Sequence, residues 1–161
     1  MKRSTLLMAL LLLSLAILLG TLSPLTLAGD RQSERFEDLH QRAQAELKAG
    51  DYATAVRQYR KALALKPDHA EARFEFAQAF AGAGKYFDAR RNYRLALSAR
   101  ATDPVWVSRC RLELARCWEA GGNYREALWE YQLALKADPS LAEARTGERR
   151  TLAAVNSSDG N

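Results

Sequence analysis

Residues 50–67 read GDYATAVRQYRKALALKP, and the phrase returns as GKYFDARRNYRLALSARA at 84–101 and GNYREALWEYQLALKADP at 122–139. Its columns stay in step. Ala55, Ala89 and Ala127 align, then Tyr59, Tyr93 and Tyr131, then the pairs Ala62-Leu63, Ala96-Leu97 and Ala134-Leu135. Upstream of each glycine, Ala43, Ala77 and Ala115 share one column, and Ala45, Ala79 and Cys117 share another. The glycines at 50, 84 and 122 stand 34 and 38 residues apart. Each glycine follows one helical segment at the point where a left-handed residue is needed. Pro67 and Pro139 then stop a second segment. The small columns suit two helices that cross closely, and the tyrosines suit the space between neighbouring units.

Composition agrees with helices. The 161 residues include 29 Ala and 25 Leu but only 4 Val and 1 Ile. Ala and Leu favour helices, whereas sheets draw on β-branched residues. The chain is 48% hydrophobic and 27% charged, which excludes a disordered or collagen-like chain. The fold class is all-α.

A period of 34 residues of paired helices, with Ala four residues before an aromatic and a closing proline, resembles the tetratricopeptide repeat. The resemblance covers 36–141 in three units, 36–69, 70–107 and 108–141. It implies a right-handed superhelix of three helix-turn-helix units. Residues 142–155 read as a capping helix and 156–161 as a disordered tail. Asp68 with Glu71, and Ser140 with Glu143, have capping-box spacing at helix starts. The middle unit lacks its closing proline, and Pro104-Val105-Trp106-Val107 are extra. With Asp103 as N-cap and Pro104 at the first helical position, they predict a one-turn extension of the fifth helix.

The resemblance further implies a binding surface built from the first helix of each unit. That places His40, Gln44, Glu71, Phe74, Glu75, Gln78, Arg109, Leu112 and Arg116 on the inner face, with Glu37, Gln41, Lys48 and Glu113. Phe74 has two readings, as an exposed aromatic anchor for a peptide or as packing against a neighbouring helix. Some family members hold a chaperone's C-terminal carboxylate in a ring of Lys, Arg and Asn. The matching positions here are His40, Gln44, Glu75, Arg109 and Glu113, and the two acids would repel that ligand.

The first 28 residues stand apart. Lys2 and Arg3 precede an apolar run, Leu6 to Leu19, broken only by Ser14. Gly20 and Pro24 follow, then Thr26-Leu27-Ala28 in small-x-small form. This reads as a secretory leader cleaved near Ala28, or as an uncleaved anchor over residues 5–27. Either way the bulk is expected outside the cytoplasm, in the periplasm or cell envelope, with residues 29–35 as a linker. Without the leader the formal charge of +5 falls to +3, which gives little support to nucleic-acid binding.

The inventory for chemistry is short. Cys110 and Cys117 are seven residues apart, about 10.5 Å along a helix, too far to bridge. Cys117 reads as a buried thiol, and Cys110 as either buried or free to cross-link a second chain. His40 and His69 read as surface histidines without metal-ligand spacing. No phosphate loop or nucleophile–base pair stands out, so neither an enzyme nor a cofactor or metal is expected. The fourth helix carries Lys85, Arg90, Arg91, Arg94 and Arg100 against Asp88. That basic stripe suits an anionic membrane or polysaccharide surface, or is a solvated face. Trp129 occupies the column of Arg57 and Arg91, so it should point outward, and packing under the last helix is the favoured reading. The expected function is a non-catalytic scaffold that binds a partner protein segment in the groove.

Overall fold

The glycine columns set the turns. Gly50, Gly84 and Gly122 have φ of 78°, 72° and 76°, the left-handed backbone that glycine adopts without strain. Each glycine N–H bonds the carbonyl three residues back, to Leu47, Ala81 and Glu119. The following N–H of Asp51, Lys85 or Asn123 reaches five residues back at 2.9–3.0 Å. This paired pattern closes a helix and turns the chain back.

The computed structural model describes residues 24–159. Seven helices are described: α1 (Pro24–Ala49), α2 (Tyr52–Leu65), α3 (Ala70–Gly82), α4 (Tyr86–Ala99), α5 (Pro104–Ala120), α6 (Tyr124–Ala137) and α7 (Ala142–Asp159). There is no strand among the described residues. The chain divides into two compact units, Met1–Arg35 and Phe36–Asn161. In the first, the described part is the opening of α1, whose side chains from Gly29 on are mostly exposed. In the second, short turns make successive helices antiparallel neighbours. The odd-numbered helices form one layer and the even-numbered helices the other.

Small residues let the layers close. Ala43, Ala55, Ala62, Ala77, Ala79, Ala89, Ala96, Ala115, Ala127 and Ala134 are fully buried. Tyr59, Tyr93 and Tyr131 are buried with them. Gly147 of α7 lies so close to the Tyr131 ring that a Cβ there would overlap it.

The extra turn does more than lengthen α5, which at 17 residues exceeds α3 by four. Asp103 caps it by accepting from the N–H groups of Val105 and Trp106, and Pro104 opens it. The Trp106 indole then donates to the Ala96 carbonyl at 2.8 Å, fastening α5 to the end of α4. Where the proline is present, an arginine six residues on closes the turn. Arg73 donates to the Pro67 carbonyl and Arg145 to that of Pro139.

Several expectations are corrected. His69, not Asp68, caps α3, its Nδ1 accepting from Ala72 N–H at 3.2 Å. Ser140 does not cap α7; its hydroxyl donates to Asp138 within the turn before the helix. Residues 29–35 are helical, within α1, rather than a linker. Helix α7 runs through the supposed tail to Asp159, and the Ser157 and Ser158 hydroxyls donate to carbonyls of the preceding turn. Residues 1–23, which hold most of the expected leader, and the last two residues lie outside the described residues. Among the described residues no helix is long and apolar enough to cross a membrane.

Alanine in place of glycine inside a helix normally stabilises by about 1 kcal/mol. At Gly147 the overlap with a buried ring reverses the sign. Gly147→Ala should lower stability by roughly 1–3 kcal/mol in a thermal melt followed by circular dichroism.

Candidate functional site

The odd-numbered layer presents the residues placed on the inner face, and most of them are bonded to one another across helices. Glu75 of α3 is the first hub. Its Oε2 lies 2.5 Å from His40 Nε2, its Oε1 accepts from Gln44 at 2.8 Å, and the Tyr59 hydroxyl reaches Oε2 at 3.3 Å. Glu71 pairs with Arg109 of α5 at 3.1 Å. Arg116 bridges Glu113 at 2.7 Å and Glu143 of α7 at 2.9 Å. Glu119 accepts from Arg150 and from the Tyr131 hydroxyl at 2.7 Å. Those bonds, Arg150's first, hold the Glu119 carboxyl below the ordinary glutamate range. The result is a ladder of polar pairs from α1 to α7.

The placement of the individual residues differs from the sequence expectation. Phe74 is only 1% exposed, so it is no anchor for a peptide. It packs on Tyr93 and Trp106, ring centroids 5.2 and 5.4 Å away, and the Arg109 guanidinium lies 4.2 Å over its face. The extra turn of α5 supplies one of these covers, Trp106. Leu112 is buried in the C-terminal part of the core. His40 is buried against Glu75 and Phe36 rather than lying on the surface, and His69 is half-buried beside Phe36. Burial lowers the His69 pKa. Arg109 and Arg116 keep about half of their side chains in solvent, and Gln41 and Lys48 are exposed, while Glu71 and Gln78 are half-buried.

Both thiols are buried, and burial pushes each up to about 12. Cys110 is therefore not free to cross-link a second chain. On α4, Lys85, Arg91, Arg94 and Arg100 are exposed. Arg90 instead lies over the Trp118 ring, its Cζ 3.7 Å from the centroid. Trp129 is 62% exposed, which corrects its expected packing under the last helix. It faces a cleft between α4 and α6. Trp118, half-buried at the end of α5, is the functional candidate that repeat reading missed. It stands in the column of Glu46 and Phe80, and only its unlike neighbours mark it.

Residues 43–84 match the family model described as TPR repeat. This is the tetratricopeptide-repeat fold. The first TPR domain of Spaghetti (RPAP3) bound to an HSP90 peptide, SRMEEVD, is similar with a TM-score of 0.69 at 20% identity, over 77% of this chain and 95% of that one. The Sgt2 TPR domain from Aspergillus fumigatus gives 0.67 at 19%, over 78% and 82%. The Yersinia enterocolitica type III secretion chaperone SycD, in complex with a peptide of the translocator YopD, gives 0.64 at 20%, over 76% and 93%. No curated protein matches the chain.

In this tetratricopeptide array, Phe74 is core. Phe74→Ala should therefore cost about 3–5 kcal/mol of stability. A denaturant melt checks it: a midpoint like that of the unaltered chain would return Phe74 to the surface.

Proposed function

We propose that the chain is an exported, non-catalytic scaffold that binds a segment of a partner protein along the odd-numbered layer. The observation that carries this reading is the half-exposed part of the polar ladder. Arg109 and Arg116 each engage a carboxylate, yet about half of each side chain remains in solvent. A guanidinium has five donors in a fork, so such a group bonds a peptide carbonyl or carboxylate without giving up its existing partner. Gln41 and Gln78 add amides that donate and accept, which suits an extended backbone. Two of the similar structures hold peptides, an HSP90 peptide in RPAP3 and a translocator peptide in SycD. A carboxylate-terminated tail is a poor fit here. Glu75 occupies His40 and Gln44, two positions where such a tail would need free cations or amides. The export part of the reading rests on Lys2, Arg3, the apolar run 6–19 and the small residues at 26 and 28.

Photo-crosslinking residues placed in the full chain, in cells, at Gln41, Gln78 and Arg116 test the surface. All three are expected to capture one and the same partner segment, while Arg60 on the exposed side of α2 captures none. Capture from Arg60 with none from the three inner positions would overturn the proposal.

A further inference from the structure

The even-numbered layer is not uniform. At the level of α4 and α6 it departs from its own repeat pattern in three columns, beside Trp118 of α5. Phe87 replaces the type found at Ala53 and Arg125, and Arg90 stands where Val56 and Leu128 stand. Trp129 replaces Arg57 and Arg91, and Trp118 follows Glu46 and Phe80 in its column. The three departures meet Trp118 of α5 in one place. Two adjoining recesses, of about 390 and 440 Å3, share Arg94 and Trp118. Phe87 bounds the first and Trp129 the second. These two rings are 74% and 62% exposed. Large side chains so exposed on two adjoining recesses mark an interaction surface.

The charge around the recess has a sign. Arg90 lies on the Trp118 ring at 3.7 Å, and Arg94 lies 5.9 Å from the same ring. Stacking uses the guanidinium face and leaves its N–H edge open for a carboxylate fork. Among the described residues, no carboxylate lies within ion-pair distance of Arg90, Arg91 or Arg94. Of the two acids lining the second recess, Glu130 is already bonded to Arg111 at 2.7 Å, which leaves Glu126. The cleft is thus cationic along one wall and aromatic on its floor.

We propose that this cleft is a second docking site, separate from the odd-numbered layer, for an acidic segment of a partner protein that carries carboxylates beside a large apolar side chain. The carboxylates meet the edges of Arg90, Arg91 and Arg94. The apolar side chain enters between Phe87 and Trp129 and rests on Trp118. A protein segment fits better than a bilayer, because the Trp118 floor is recessed between helices and a flat layer of headgroups reaches only the rim.

The test uses the full chain as purified from its host. One probe is a fluorescein-labelled peptide alternating glutamate with leucine and phenylalanine; another carries lysine at every glutamate. Soluble dioctanoyl phosphatidylglycerol is the lipid probe. Fluorescence anisotropy should show binding of the acidic peptide and none of the lysine peptide. Arg91→Glu and Trp129→Ala change exposed positions and so leave the melting temperature in place. Each should weaken the acidic peptide by about tenfold or more, while Gln78→Ala on the other layer leaves it unchanged. Failure of the acidic peptide to bind, equal binding of the lysine peptide, or unchanged affinity in both cleft variants overturns the proposal. So does binding of the lipid, and not the peptide, that is lost with Arg91→Glu. None of these outcomes bears on the odd-numbered layer, which Gln78→Ala probes separately.

Discussion

Each even-numbered helix sinks one tyrosine ring into the helical stack, and the rest of the structure is arranged around that fact. Tyr59, Tyr93 and Tyr131 are fully buried. A ring of that size fits between crossing helices only where small residues face it. The alanine columns provide this, and at Tyr131 even alanine is too large, so the position is Gly147. A buried phenol also needs a partner for its hydroxyl. Tyr59 finds Glu75 and Tyr131 finds Glu119, both carboxylates of the odd-numbered layer. The core is thereby tied to the polar ladder on the outside of that layer. Tyr93 breaks the pattern. Its counterpart acid, Glu113, is engaged by Arg116, and among the described residues the Tyr93 hydroxyl has no hydrogen-bond partner.

That coupling shapes what the two layers can do. Polar side chains on the odd-numbered layer are held in fixed positions by their cross-helix partners, so they form a rigid and nearly neutral surface rather than a ring of free charge. Such a surface recognises by geometry. The even-numbered layer between α4 and α6 has the opposite character. Its aromatic rings stand in solvent, and its arginines lean on Trp118 instead of on carboxylates. The one-turn extension of α5 adds to the difference by covering Phe74, which removes the largest apolar side chain from the layer where it was expected.

What could be read from the sequence was what repeats. Three glycines in register gave the turns, three tyrosines the inter-unit packing, and the scarcity of β-branched residues the all-helical class. Asp103-Pro104 gave the cap and start of α5 because capping chemistry is local. The misreadings on the binding face concern partners distant in the chain. His40 meets a carboxylate 35 residues on, and nothing near it announces Glu75. Phe74 is covered by Trp106 from an insertion whose length was legible but whose target was not. The cap of α3 fell one residue from the expected Asp68, since a histidine ring nitrogen accepts as well as a carboxylate does when the turn places it there. Trp118 was invisible because it sits in a column already aromatic in the preceding unit, and only its contact with Arg90 distinguishes it.

The claim that the tyrosine column ties core to surface is tested most directly by exchanging each tyrosine for phenylalanine and measuring unfolding free energy in denaturant. The ring stays and only the hydroxyl goes. Tyr131→Phe should cost about 1–2 kcal/mol, because its bond to a carboxylate is lost. Tyr59→Phe, with a longer bond, should cost less. Tyr93→Phe should cost nothing, or should stabilise by up to about 1 kcal/mol as a buried unpaired hydroxyl is removed. A loss at Tyr93 as large as that at Tyr131 would contradict the account.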